Sequence, residues 1–464
     1  MALNLYNTKT KSIEEFKPLQ EGIVTMYACG PTVYDYTHIG HMRKYIGDDI
    51  LRRSLSYLGY EVKHVMNITD VGHLTNDSDD GDDKFEGKAK AEGKSVWAIA
   101  ELYTDYFHES MQAVNVLPPT IEAKATDHIK EMIALIETLM QKGFAYETDQ
   151  AIYFDVSKDI HYGELSGQKL TDKIIGARDE VSQDPEKKNA ADFALWFKRV
   201  GKFADHAMHW PSPNGIQTDG FPGWHIECSA MSMHYLGETI DIHTGGIDHI
   251  PVHHENEIAQ SECATGHDFV HYWVHHAFLN VDGEKMSKSK HNFYTISDIE
   301  GHNIDPLAMR LLTMQTSYRK PLNFTWDALT VADVQLKKLQ TIASRQEHGG
   351  TILESYKQQF SESLSDDINT AKALAIVWEM VADTSVSPQD RYATLLSFDE
   401  VLGLGLATVA PFSISDEAQS LLEQMKNARE QKDYATSDAI RSQLETLGYK
   451  VEQGPTGVTL SPLL

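Results

Sequence analysis

Ile23-Val-Thr-Met-Tyr-Ala28 is a run of β-prone residues closed by Cys29-Gly30-Pro31, the pattern of a strand ending in a turn. A polar loop follows, Pro31-Thr-Val-Tyr-Asp-Tyr-Thr37, and then His38-Ile-Gly-His41. From about His38 to Leu58 the apolar positions Ile46, Ile50, Leu51, Leu55 and Leu58 recur at helical spacing. Tyr60 to Met66 reads as a second strand. Strand, glycine-containing loop, helix and strand together open a parallel α/β sheet. A helix N-terminus offers unpaired N–H groups and a positive dipole end to phosphate. His38 and His41 stand there as hydrogen-bond donors, with helix-capping or solvent-facing histidines as the competing reading, and Gly40 leaves backbone open to a planar base.

Working outward, 464 residues correspond to about three domains. Apolar residues make up 41% and charged residues 23%, which excludes a disordered or collagen-like chain. Three cysteines exclude a disulfide scaffold. The chain carries 41 basic and 68 acidic residues, a formal net charge of -27. That excludes a generally basic DNA-binding surface and leaves room for a local basic patch. The opening residues lack an apolar signal segment, and no apolar run reaches membrane-spanning length. A soluble, cytoplasmic, multidomain protein is expected, with no membrane and no DNA partner.

Residues 104–142 follow a helical pattern. Residues 143–202 turn mixed, with short strands such as Ala151-Ile-Tyr-Phe154 and a charged stretch from Asp179 to Lys188, as expected of an inserted module. The α/β pattern resumes from Gly223 to Ile242. Phe278-Leu-Asn-Val281 leads into a lysine-rich loop. Beyond about Val331 the chain reads as helical to Ser397, and Gly403, Gly405 and Pro411 mark a linker. Helices from Asp416 to Lys426 and Ala435 to Leu447 and a strand near Tyr449 complete a small terminal unit. Asn76-Asp-Ser-Asp-Asp-Gly-Asp-Asp83 fails as a calcium loop, because Gly87 falls where the bidentate Glu belongs, and reads as an acidic surface loop.

Three further constellations carry chemistry. Lys285-Met-Ser-Lys288-Ser289 is a short cationic loop suited to charge developing on transferring phosphates. Cys29, Cys228, His253 and Glu257 are residue types that bind zinc, and His253 and Glu257 share a face if helical. The two cysteines stand 199 positions apart, so two buried free thiols are the competing reading, and His254 competes with His253. Cys263 reads as a buried small hydrophobe. In Asp241-Ile-His-Thr-Gly245-Gly246-Ile-Asp248 the glycine pair permits close approach of a nucleotide, and an acidic residue there accepts from ribose hydroxyls.

His38-Ile-Gly-His41 and Lys285-Met-Ser-Lys-Ser289 resemble the two signatures of class I aminoacyl-tRNA synthetases. Cys29-Gly-Pro-Thr-Val-Tyr-Asp35, Asn67-Ile-Thr-Asp70, Trp224-His-Ile-Glu-Cys-Ser-Ala-Met231 and His253-His-Glu-Asn-Glu-Ile-Ala-Gln260 are similar to the cysteinyl-tRNA synthetases. Asp366-Asp-Ile-Asn-Thr370 and Lys432-Asp-Tyr-Ala435 extend the resemblance over essentially the whole chain. It departs at Val71-Gly-His73, where many relatives have Asp-Asp-Lys, and at Gly457-Val-Thr-Leu460, where relatives often place Trp; no anticodon contact is carried over there.

The resemblance implies a Rossmann-type parallel-sheet catalytic domain split by an insertion, then a helical domain and a small C-terminal unit. The expected division is 1–120 and 204–275 for the catalytic halves and 121–203 for the inserted module. A stem-contact region spans 276–330, a helical tRNA-binding domain 331–405, and an anticodon-recognition unit 412–464. The implied reaction joins L-cysteine to ATP as cysteinyl-adenylate, then transfers it to the terminal adenosine of tRNA(Cys), initially at the 2′-hydroxyl. The implied metal is one zinc per chain on Cys29, Cys228, His253 and Glu257, which resolves His253 over His254 and recognises the substrate thiolate. ATP acts with magnesium. His38, His41, Lys285 and Lys288 are implied at the phosphates, Gly40, Gly246, Asp248 and Lys288 along ATP, and Thr69 and Trp224 at the amino-acid pocket. A monomer is expected. The alternatives are a cysteine ligase acting on a small amine and a noncatalytic tRNA-binding paralogue; residues 331–464 weigh against the first and the intact motifs against the second.

Overall fold

The computed structural model describes residues 2–72, 74, 81–168, 184–287, 290, 292–454 and 457–462. Strands β1 (Ile23–Ala28), β2 (Glu61–Ile68), β3 (Ile121–Lys124), β4 (Ile240–Gly246) and β5 (Val270–His276) form one parallel sheet in the spatial order β5-β4-β1-β2-β3. Chain order runs outward one way from β1 and the other way from β4. Their C-terminal ends therefore flank the crevice where open α/β sheets bind ligands. Val24, Met26 and Ala28 of β1 enter one hydrophobic core and Tyr27 the other, the alternation of a strand covered on both faces. The fold is α/β with a helical domain, as the sequence predicts.

The helix Ile39–Tyr57 follows β1 and buries Ile39, Met42, Ile46 and Ile50 against the sheet. Its capping residue is His38, whose Nδ1 accepts from the backbone N–H of Gly40 (3.1 Å) and of His41 (3.3 Å). Ile39 N–H donates to the Tyr294 carbonyl and Met42 N–H to that of His38. All four leading amides are thus satisfied within the protein. The expectation of open amides for phosphate is corrected: the donors here are imidazoles, because an accepting Nδ1 puts the proton of a neutral ring on Nε2.

The stretch expected to be helical over 104–142 contains two helices, Val96–Ala113 and Ile129–Gln141, separated by β3 at the sheet edge. Pro118 and Pro119 break the periodicity just before that strand. Between β3 and β4 the chain forms a four-stranded antiparallel sheet from Ala145–Glu147, Ala151–Phe154, Phe193–Lys198 and Gly220–Pro222, so the module expected at 121–203 is displaced: its first residues pair into the parallel sheet as β3 and its own sheet runs on to Pro222. Of the acidic loop, residues 76–80 lie outside the described ones. Asp83 is buried rather than solvated, and caps the helix Lys84–Glu92 through Glu86 N–H at 2.8 Å. The lysine-rich loop leaves a small sheet of Leu279–Val281, Glu284–Lys285 and Leu322–Phe324. Helices Trp326–Ser344, Glu354–Ser365, Thr370–Ala382 and Pro388–Leu402 follow. A terminal unit with its own core pairs helices Asp416–Glu430 and Tyr434–Thr446 with a hairpin, Tyr449–Gly454 and Gly457–Pro462. Among the described residues no helix is long and apolar enough to cross a membrane.

Candidate active site and metal cluster

A cleft of about 430 Å³ opens at the C-terminal ends of β1 and β4. Its lining includes Cys29, His38, Gly40, His41, Thr69, Trp224, Cys228, Gly246, Asp248, His253 and Lys285, all singled out in the sequence. Of the remaining candidates, Glu257 is buried beneath the floor and Lys288 lies outside the described residues. Sheet adjacency brings the distant residues together: Cys29 N–H donates to the Thr244 carbonyl of β4 at 3.1 Å. Helix Trp224–Leu236 delivers Cys228, and helix Glu255–Thr265 delivers Glu257. His253 lies in a wider, π-type turn, Ile250–His254, that leads into the latter helix. Such turns recur at functional sites because they re-aim side chains.

The ligating atoms of Cys29, Cys228, His253 and Glu257 all lie within 4.8 Å of one another. The same holds for Cys29, His243, His254 and Glu257. Both groups are tied in by short polar contacts, His253 Nδ1 lying 2.9 Å from His225 Nδ1 and its Nε2 3.0 Å from Glu257 Oε1. His254 Nε2 lies 3.3 Å from Cys29 Sγ, and its Nδ1 2.7 Å from His275 Nε2, so both ring nitrogens are engaged. His243 Nε2 lies 2.9 Å from Glu257 Oε2. The cleft is lined by Cys29, Cys228 and His253 and not by His243 or His254. The first group is thus the one a metal entering from the cleft would meet, with His243 and His254 packed behind it.

The electrostatics fit a cation. Burial lowers the His253 pKa, but Glu257 and Cys29 override it and raise it to about 10. Burial raises the Cys29 thiol, yet the hydrogen bond from Cys228 and the neighbouring His254 and His243 bring it well below its ordinary value. Cys228 is pushed up, by burial and by Cys29 itself. Glu257 Oε1 is buried and makes no hydrogen bond of good geometry, although His253 Nε2 stands 3.0 Å away. An oxygen in that condition needs a positive partner. Cys263 is half-buried and separate from the cluster; burial raises its thiol to about 12.

One end of the cleft is framed by Thr69 and Trp224. Thr69 Oγ1 donates to Glu227 Oε2 at 2.7 Å and receives Asn67 Nδ2 at 3.1 Å. Asn67 Oδ1 accepts Gly30 N–H at 2.7 Å. A Cβ at Gly30 would stand 1.6 Å from the Asn67 carbonyl oxygen, so only glycine fits. Burial pushes the Glu227 carboxyl up to about 8. The Trp224 ring stacks on that of His253 at 4.2 Å. Elsewhere in the cleft lining the His38 and His41 rings stack at 3.6 Å. A Cβ on Gly40 would meet Met286 Cε at 3.1 Å, and one on Gly246 would meet Asp248 Oδ1 at 2.2 Å. Lys44 Nζ donates to the Cys29 carbonyl and pairs with Asp48 at 2.7 Å.

Sequence reasoning missed Asn67, Glu227, His243 and Lys44. For His243 a signal existed: on a strand, residues 243 and 245 share a face. A Cβ on Gly245 would strike the ring of His254, so that face looks onto the metal cluster.

The sheet, the insertion and the cleft define a class I aminoacyl-tRNA synthetase catalytic domain, and the family model for the class I (C) tRNA synthetase catalytic domain matches residues 15–334. Solved structures with the same fold include Mycobacterium tuberculosis methionyl-tRNA synthetase in complex with methionyl-adenylate, at TM-score 0.57 and 15% identity, covering 90% of this chain and 96% of that one. An Agrobacterium radiobacter K84 LeuRS ternary complex with tRNA and LeuAMS aligns at TM-score 0.58 and 11% identity, covering 87% and 88%. The chain is 44% identical to cysteine–tRNA ligase 1 of Burkholderia lata, covering 99% of this chain and 97% of that protein. It is 41% identical to the cysteine–tRNA ligase of Treponema denticola, covering 97% and 98%. The chain belongs to the cysteine–tRNA ligase family.

Proposed function

We propose that this chain activates L-cysteine with ATP and transfers it to the terminal adenosine of tRNA(Cys). The observation that carries the reading is that one cleft joins a thiolate-binding donor set to paired imidazoles and a lysine suited to phosphate. Cys29, Cys228, His253 and Glu257 would hold one zinc ion. When bound, zinc supplies a soft Lewis acid that favours a substrate thiolate over a serine hydroxyl. Trp224 and Thr69 wall the amino-acid pocket, and Glu227 and Asn67 fix Thr69 in place. The substrate carboxylate attacks the α-phosphorus, the bond to the β-phosphate oxygen breaks, and pyrophosphate leaves with magnesium. Most of the catalysis is positioning and charge neutralisation.

His38 Nε2–H and the ring of His41 serve the phosphates, as do Lys285 and Lys288. Gly40, Gly246 and Asp248 run along the adenosine. Residues 331–405 and 412–464 serve as tRNA-binding and anticodon units. The three cysteines, free of disulfides, support a cytoplasmic enzyme, and we take it to act as a monomer.

The test is charging of total tRNA with cysteine, ATP and magnesium, with serine in parallel. Cysteine-specific charging is expected. Cysteine-dependent pyrophosphate exchange without charging would replace tRNA by another acceptor, and silence in both assays would overturn the reading.

A further inference from the structure

We propose that the Tyr36 ring is a stacking platform for the unpaired 3′ end of the RNA acceptor as it enters the cleft. The inference rests on the charging function proposed above. Asp35 and Thr37 both line the cleft, and Tyr36 stands between them at its rim with 45% of its surface exposed. Its ring packs edge-to-face with Tyr103 at 5.0 Å and Tyr106 at 4.7 Å, both from the helix Val96–Ala113. Tyr106 is itself anchored through its hydroxyl, 3.2 Å from Ser297 Oγ. An isolated exposed tyrosine needs no explanation. Here three rings meet where the catalytic cleft opens, and the outermost stays half bare.

The platform is rigid. Tyr36 N–H donates to Asp35 Oδ1 at 2.9 Å, and the same oxygen receives Lys88 Nζ at 3.2 Å. The Lys88 ammonium also lies 5.3 Å from the Tyr103 ring centre, and Lys84 stands 5.3 Å from that of Tyr34. Earlier in the loop, Val33 N–H donates to the Thr69 carbonyl at 3.1 Å, which ties the loop to the amino-acid pocket.

Chemistry in the cleft requires a hydroxyl of the terminal adenosine to reach the adenylate, so the nucleotide before it must cross the rim. An aromatic face accepts any base, so the stack requires no sequence match at that nucleotide. The patch is continuous with the reaction cleft, which favours RNA over a protein partner.

The test compares Tyr36→Leu, which keeps apolar bulk without a flat ring, with Tyr36→Phe and Tyr36→Trp. In Tyr36→Leu, kcat/KM for tRNA in charging should fall roughly 5- to 100-fold, with cysteine-dependent pyrophosphate exchange held within about twofold. Phe and Trp should retain charging. A tRNA carrying 2-aminopurine next to the terminal adenosine should be quenched on binding the wild type and not Tyr36→Leu. Wild-type charging in Tyr36→Leu would overturn the platform, and so would a parallel loss of exchange, which marks a packing role or an ATP contact. If the wild type charges no tRNA, the underlying function fails first; if it charges and Tyr36→Leu matches it, only this inference fails.

Discussion

Asp49→Asn should destabilise the joint between the catalytic sheet and the helical domain far more than a change of one atom suggests. Asp49 sits in the helix that begins at the paired histidines, and it is 2% exposed. Its Oδ2 receives Arg310 Nη2 at 2.5 Å and Arg53 Nε at 2.7 Å, and its Oδ1 receives Leu117 N–H at 2.9 Å. Arg310 is wholly buried, and its other contacts are the carbonyls of Leu402, Val114 and Asn115. Every neighbour of the carboxylate is a donor. An asparagine amide must therefore aim its own N–H groups at a donor in either orientation, and the Arg310 charge loses its counter-ion. Breaking a buried pair from one side costs about 3–5 kcal/mol. That is two to nearly four powers of ten in the folded-to-unfolded ratio. Urea unfolding followed by tryptophan fluorescence reads the loss, and pyrophosphate exchange reads whether the histidine-bearing helix has loosened. Adding Arg310→Met removes the stranded charge, so the double variant should be more stable than the sum of the single losses. An unchanged midpoint in Asp49→Asn, or strict additivity, would refute the argument.

Cys228→Ala should lose the bound zinc and cysteine-dependent exchange together, whereas Cys263→Ala, altered outside the cluster, keeps both; metal content by atomic absorption decides. His253→Ala should weaken metal binding by more than the roughly 10- to 100-fold expected for His254→Ala as an outer support, and the reverse order would favour the second donor group. Burial raises the Asp48 carboxyl, but Lys44 and His276 outweigh it and hold it at about 2. Its unfolded value is about 3.9, so its contribution of roughly 2 kcal/mol is complete above that pH and is lost as pH falls toward 2. Asp48→Asn should flatten the acid limb of the stability curve there, and an unchanged slope would contradict the assignment. With a net charge of -27 the tRNA face must be a local basic island, so affinity for tRNA should fall steeply with salt in filter binding, and salt-independent binding would contradict it.

Alternation and helical periodicity made the sheet and the first helix readable, because both depend on local spacing. The strand Ile121–Lys124 was hidden: four residues between two amphipathic helices carry too little pattern of their own, and only pairing with β2 makes them a strand. The N-terminal hairpin, Asn4–Asn7 with Ser12–Glu15, was hidden for the same reason. His38 as a helix cap was legible only as the alternative to a phosphate role, because the usual signal is Ser, Thr, Asp or Asn. Its role has a chemical consequence, since a ring nitrogen fixed as acceptor leaves the other as the donor of a neutral ring.

The metal cluster shows where spacing fails altogether. Cys29 and Cys228 meet because the helix Trp224–Leu236, which precedes β4, packs on the sheet beside β1, so the residue pattern left two free thiols as a competing reading and only the resemblance committed to one donor set. Neither supplied the supporting shell. His254 bridges Cys29 and His275, and His275 Nδ1 in turn lies 2.8 Å from Thr8 Oγ1, in a segment at the other end of the chain. Cys29, His254 and His275 are buried, and each meets a partner from another element. Replacing one leaves the next unpaired, so the geometry of the Cys29 donor group depends on residues that do not line the cleft.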